Sequence, residues 1–122
     1  MPIIEVKGIP DGTPKLEQLL EDIRTAVASV AELRVSREQV TVFLDRDHVQ
    51  KGLGEELCVY IIGLYRRNDR TPEVLNRLAQ AIAGVLDSFA RVHLPQCTCV
   101  EIPKPILVNE DDPGGIIIRV ND

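Results

Sequence analysis

Two stretches of the chain repeat one pattern at a fixed distance, and this repeat restricts the possible folds more than the composition does. The stretch TPKLEQLLEDIRTAV begins at Thr13, and the stretch TPEVLNRLAQAIAGV begins at Thr71, 58 positions later. The same offset aligns Leu20 with Leu78. Because self-similarity at a fixed period indicates a repeated structural unit, the sequence predicts two copies of one unit followed by a tail.

Each copy has the pattern of a strand, a helix and a second strand. A Thr-Pro pair precedes each helix, with threonine as the predicted N-cap and proline as the first helical residue. Apolar residues then recur at helical spacing. The first stripe consists of Leu16, Leu19, Leu20, Ile23, Val27 and Val30, and the second of Leu75, Leu78, Ile82, Val85, Leu86 and Phe89. The runs PIIEV, QVTVFLD, ELCVYIIGLY and CTCVEI are rich in β-branched residues, which favour strands.

These patterns predict an α+β fold of two fused β-α-β units. The expected architecture is a four-stranded mixed sheet with two helices on one face, plus short C-terminal strand(s), in a single domain spanning 1–122. The first unit covers 2–45, the second covers 56–103, and 104–122 form a tail. The tail ends in GGIIIRV, for which we expect a partner at the sheet edge of another subunit.

Charge and hydropathy exclude several classes of partner. The net charge of −5 argues against nucleic-acid binding, which needs a concentrated basic face. No apolar run approaches the roughly 18 residues of a membrane span. The apolar opening runs straight into Glu5, so we expect no leader and a cytoplasmic protein. The three cysteines contain no CxxC pair and are interpreted as structural thiols.

A β-α-β unit of this size with proline after the initiator methionine resembles the tautomerase superfamily, which includes 4-oxalocrotonate tautomerase and macrophage migration inhibitory factor. The second point of likeness is YRRNDRTPE, where Arg70 stands directly before the Thr71 cap and Arg67 lies three residues earlier. The resemblance covers 2–102. It implies a fused two-unit member, which in this family forms a homotrimer.

The resemblance also implies roles for individual residues. Removal of Met1 would leave Pro2 as the family's catalytic amino-terminal proline, acting as a general base. Arg70 occupies the position of the arginine that binds the substrate carboxylate, and Arg67 or Arg66 would be a second cationic donor. The implied activity is a cofactor-independent keto–enol isomerisation of a small carboxylate-bearing substrate.

The residue types suit this chemistry. Burial disfavours the protonated form of an amine, so a shielded terminal proline has a lowered pKa and a useful neutral fraction. A planar guanidinium can hold a carboxylate through two parallel hydrogen bonds. We expect no metal or organic cofactor, because His48 and His93 are scattered and supply no ligand cluster.

Several alternatives remain open. On the same scaffold, a hydratase, dehalogenase or decarboxylase would use protonated Pro2 as an acid, with Glu101 or Asp45 activating water. Tyr60 and Tyr65 are candidate donors to an oxyanion. A β-α-β-β-α-β order is also that of a ferredoxin-like metabolite-binding module without catalysis.

Plainer interpretations compete with each assigned role. Pro2 is also tolerated as the first residue of a strand. The RRNDR cluster is also typical of a solvated loop that pairs with Asp69 and Glu73.

Overall fold

The structure is a computed structural model that describes residues 2–9, 12–45, 57–62, 68–93, 106–107 and 116–120. In chain order its elements are β1 (Ile3–Lys7), α1 (Leu16–Ser29), two 3₁₀ turns (Ala31–Leu33 and Arg37–Gln39), β2 (Thr41–Asp45), β3 (Leu57–Ile62), α2 (Pro72–His93), β4 (Ile106–Leu107) and β5 (Ile116–Val120). The predicted α+β class is confirmed. Neither helix of these ranges combines the length and apolarity needed to cross a membrane.

The centre of the sheet is a mixed arrangement of three strands. β1 pairs with β2 in parallel, with Ile3 opposite Thr41, and with β3 in antiparallel fashion, with Ile3 opposite Ile62. β5 and β4 extend the sheet beyond β3, giving the order β2-β1-β3-β5-β4. The first β-α-β unit is therefore present as predicted, since β1 and its return strand β2 are direct, parallel neighbours.

The predicted four-stranded sheet made of two fused β-α-β units is wrong. The sequence predicts the run at 97–102 as the strand beside β3, but β5 occupies that place and runs antiparallel, with Val59 opposite Ile118. The run at 97–102 lies outside the described residues. The β-branched tail has the strand propensity to complete the sheet of its own chain. The tail run at 116–120 thus has a neighbour within its own chain, and its pairing with the sheet edge of another subunit stays a prediction.

The core lies between the helices and one face of the sheet. Ile4 and Val6 of β1 pair across the strands with Ile61 and Val59 of β3, and all four side chains are buried. Six fully or almost fully buried residues from the helices complete this layer: Leu19, Ile23, Val27, Leu78, Ile82 and Leu86. The predicted second stripe omitted four further buried residues of α2, which are Val74, Ala79, Ala83 and Ala90.

The two helices do not bury equivalent positions at the 58-residue offset. Leu78 is completely buried, whereas its sequence counterpart Leu20 is only partly buried. An offset of 59 residues instead aligns buried residues of α1 with buried residues of α2. The pairs are Leu19 and Leu78, Ile23 and Ile82, and Val27 and Leu86. One residue corresponds to about 100° of rotation around a helix, so the sequence repeat and the buried faces are out of phase by that angle.

The helix starts also differ from each other. α2 begins at Pro72, and the hydroxyl of Thr71 accepts a hydrogen bond from the N–H of Val74 at 3.4 Å, as the Thr-Pro pattern predicts. For α1 the same prediction is wrong, because the helix begins at Leu16 and not at the proline after Thr13. The residue before Leu16 has the left-handed backbone conformation.

Candidate functional site

Pro2 lies at the end of the sheet where β1 and β2 begin. Its side chain is buried, and its carbonyl accepts a hydrogen bond from the N–H of Thr41 at 3.2 Å. The next residue, Ile3, pairs with Thr41 of β2 and with Ile62, the last residue of β3. Pro2 therefore adjoins the start of β1 and the first backbone N–H of β2.

Arg70 lies directly before the cap of α2 and is partly buried. Its guanidinium Nη2 donates to the carbonyl of Leu33 at 3.2 Å. Leu33 is completely buried and belongs to the connection between α1 and β2, residues 30–40. In the described chain, the Arg70 side chain thus crosses from the start of α2 to that connection.

Arg70 and Pro2 contact the chain at two points, one within this connection and one directly after it. Arg70 binds it at Leu33, and Pro2 binds the N–H of Thr41, the residue directly after it. The chain from Leu33 to Thr41 therefore runs between the Arg70 contact and the Pro2 contact.

The remaining predicted site residues have different outcomes. Four of them lie outside the described residues: Arg66, Arg67, Tyr65 and Glu101. The side chain of Asp45 also lies outside the described part of the structure. Tyr60 is described: it is half-buried on β3 between the buried Val59 and Ile61. Because side chains alternate along a strand, Tyr60 lies on the sheet face away from the helices.

The N-terminus of α2 already holds a carboxylate. A backbone hydrogen bond and a hydrogen bond with Thr71 lower the pKa of Glu73 below its ordinary value. The positive end of the helix dipole favours a negative charge at this place. An anionic substrate that approaches the Arg70–Thr71 corner would therefore share this helix end with the side chain of Glu73.

A groove of about 950 Å³ lies between α1 and α2. Its apolar lining includes Leu19, Ala26, Ala81, Val85, Phe89 and Val92. Neither Pro2 nor Arg70 lines it, so this groove and the predicted site are different places. At one end, the rings of Phe89 and His93 lie 4.7 Å apart at a tilted angle. Within the described ranges, no three His, Cys, Asp or Glu side chains are grouped in a way that could hold a metal ion.

Sequence reasoning missed the polar contacts of the connection. Arg34 lies 3.3 Å from Asp69, measured from Nε to Oδ2, although the sequence pointed to a partner for Asp69 within its own loop. Arg77 on α2 binds the carboxylate of Glu32 with both Nη atoms. The partners are 35 and 45 residues apart, and no spacing rule within one element connects such pairs.

Comparisons with known proteins returned nothing: no protein-family model, no curated protein and no solved structure matches this chain.

Proposed function

We propose that the protein is a cofactor-independent tautomerase that uses Pro2 as a general base on a small substrate with a carboxylate. The observation that carries the proposal is the position of Pro2: it is buried directly before β1, and its carbonyl accepts a hydrogen bond from Thr41, the residue that follows the connection contacted by Arg70. Removal of Met1 would turn the nitrogen of Pro2 into a secondary amine, and burial lowers the pKa of an amine.

In this mechanism the neutral amine of Pro2 takes a proton from the carbon next to a carbonyl and returns it at another position. Arg70 holds the substrate carboxylate through charge-assisted hydrogen bonds. Arg67 and Arg66 are the proposed donors to the enolate oxygen, where negative charge develops.

The arrangement of β1 and β2 favours the tautomerase over the ferredoxin-like binding module. In a split β-α-β arrangement, another strand separates the two strands that a helix connects. Here β1 and β2 are direct parallel neighbours. The hydratase, dehalogenase and decarboxylase alternatives need a water-activating carboxylate, and the side chains of Glu101 and Asp45 lie outside the described residues.

We also propose that the chain assembles as a homotrimer through the sheet face opposite the helices. Phe43 and Ile62 are exposed by 47% and 45% on this face, in strands where neighbouring residues are buried. Phe43 lies opposite Glu5, and Ile62 lies opposite Ile3.

Light scattering of the Phe43→Glu variant should report monomers, because a charge would be placed in the proposed interface. The matched control is Val92→Glu on α2, where another large apolar side chain is exposed; it should remain trimeric, and a monomeric wild type would contradict the assembly.

The test of function combines intact mass with an enol–keto assay on phenylenolpyruvate. We expect a chain that lacks Met1 and converts this substrate. Arg70→Ala should weaken substrate binding by about 2–3 kcal/mol if the charge-assisted pair is shielded from water. Arg91→Ala is the matched control, because Arg91 pairs only within its own helix with Asp87 in the contacts described. No turnover by a correctly processed chain would contradict the proposal.

A cytoplasmic location stays a prediction from the sequence and forms part of the same proposal.

A further inference from the structure

Three consecutive residues of the α1–β2 connection contact α2 or the residues just before it. We call Glu32–Arg34 the positioning segment. Its first residue binds Arg77 through two hydrogen bonds, of which Nη1 to Oε1 measures 3.2 Å. Its second residue offers the carbonyl to Arg70, and its third residue pairs with Asp69. The segment thus contacts Arg70 itself and also the residue directly before it.

The backbone of the segment is fixed from within. The side chain of Leu33 is completely buried, and its N–H donates to the carbonyl of Val30 at 3.1 Å. Arg34 has φ 55 and ψ 40, a left-handed conformation that non-glycine residues adopt rarely, and its N–H donates to Ala31 at 3.1 Å. A constrained backbone of this kind persists where the surrounding contacts determine it.

The ion pair of the segment stabilises the fold only slightly. The side chain of Arg34 is 74% exposed and that of Asp69 is 31% exposed. Pairs with this exposure typically contribute less than about 1 kcal/mol. Removing the pair should therefore leave the chain folded, and the main consequence should be a change in where the neighbouring guanidinium of Arg70 lies.

We propose that the Glu32–Arg34 segment positions the Arg70 guanidinium for the substrate carboxylate. This role rests on the proposed function, in which Arg70 binds that carboxylate. A guanidinium has five N–H donors in one plane, so a single group can contact a carbonyl and a carboxylate together. The Leu33 carbonyl fixes one side of that plane, and the Arg34–Asp69 pair fixes the backbone from which Arg70 extends. Arg34 and Asp69 are positioning residues and do not touch the substrate.

Steady-state kinetics with phenylenolpyruvate test this role. In Asp69→Asn and Arg34→Gln, we expect KM to rise about three- to tenfold while kcat stays within about twofold, because binding is lost equally in the ground and transition states. Arg91→Gln, which removes another exposed arginine from an ion pair, should change neither constant. In an Arg70→Ala background, Asp69→Asn should add no further increase in KM, since the effect acts through Arg70.

A second measurement separates this inference from the proposed function. The exchange rate of the Arg70 Nη–H protons with solvent, measured by NMR without substrate, should rise in Asp69→Asn and stay unchanged in Arg91→Gln, because Nη2 donates to the Leu33 carbonyl. If the wild type shows no turnover but the exchange rate rises as expected, the function fails and the positioning contact stands. An unchanged exchange rate, or equal KM in the variants and the wild type, would overturn the inference.

Discussion

Nearly identical triplets, TPK at Thr13 and TPE at Thr71, stand at the entry to the two helices, yet the helices start at different points of the triplet pattern. α2 starts at Pro72 with its threonine cap in place. α1 starts two residues later in the repeat, at Leu16, after a lysine in the left-handed conformation. A Thr-Pro pair therefore does not define a helix start by itself. The residues on either side of the pair decide whether threonine becomes the cap.

The physical difference lies in those flanking residues. At the third position, Glu73 places a negative charge at the helix N-terminus, where the dipole favours it, whereas Lys15 would place a positive charge there. Before the pair, Gly12 has φ 77 and allows a left-handed turn into the first helix. In the second copy the corresponding residue is Arg70, whose side chain donates a hydrogen bond to the Leu33 carbonyl. The copy that holds the candidate binding arginine thus also has the capped helix.

The largest expected difference between the two helices is in the stability lost when an apolar side chain is truncated. Leu78→Ala should destabilise the protein by about 3 kcal/mol, because the side chain is completely buried. Leu20→Ala, at the equivalent position of the repeat, should cost about half as much because Leu20 is only partly buried. Urea unfolding of both variants measures this. Equal losses would show that the two helices bury the same face after all.

The threonine cap should have the next largest effect. Thr71→Ala removes the acceptor for the Val74 N–H and should reduce the free energy of unfolding by about 1 kcal/mol. Thr71→Ser keeps a hydroxyl at the same place and is the matched control, with a much smaller expected loss. Thermal unfolding of the pair measures the cap. A serine variant as unstable as the alanine variant would mean that the hydroxyl does not cap α2.

Substitution of Lys15, the left-handed residue before α1, should change the free energy of unfolding by a smaller amount and with the opposite sign. Lys15→Gly should stabilise the protein by about 0.5 kcal/mol, because relief of the left-handed strain exceeds the added entropy of the unfolded chain. Glu73→Gly, at the equivalent position inside α2, should destabilise it. Chemical denaturation measures both variants. Destabilisation by Lys15→Gly would indicate that α1 does not begin where the structure places it.

The smallest expected effect depends on pH. The pKa of Glu73 is lowered in the folded state, so its contribution to stability is present above the ordinary value of 4.5 and is lost as pH falls through the folded-state pKa. Glu73→Gln should therefore be less stable than the wild type at neutral pH, and the two melting temperatures should converge in acid. A difference that stays constant across this range would exclude the carboxylate as its source.

The sequence predicted the local elements well and the long-range pairing less well. Periodicity located both helices and the first three strands, because buried positions such as Ile23 and Ile82 impose their spacing on the sequence. The prediction of which strand lies beside β3 was wrong, because two runs with β-branched residues, at 97–102 and 116–120, are both candidates for that place. The residue pattern within a strand does not indicate which of two distant strands will pair with it.

For the candidate site, the sequence proposed Pro2 and Arg70 as candidates but did not predict the residues that contact Arg70. Pro2 and Arg70 stand in recognisable positions relative to a strand start and a helix cap. Leu33 contributes only a backbone carbonyl, which every residue has, so its side chain gives no signal of this contact. The partnership of Arg34 with Asp69 requires the folded connection, because 35 residues separate the two in the chain.

The proposed catalytic role of Pro2 is tested most directly by the rate of phenylenolpyruvate conversion in Pro2→Ala. The comparison is with wild-type protein of confirmed amino terminus and equal thermal stability. A general base of this kind contributes about 100-fold or more, so kcat/KM should fall by at least that factor. A folded Pro2→Ala protein that retains wild-type kcat/KM would contradict the account.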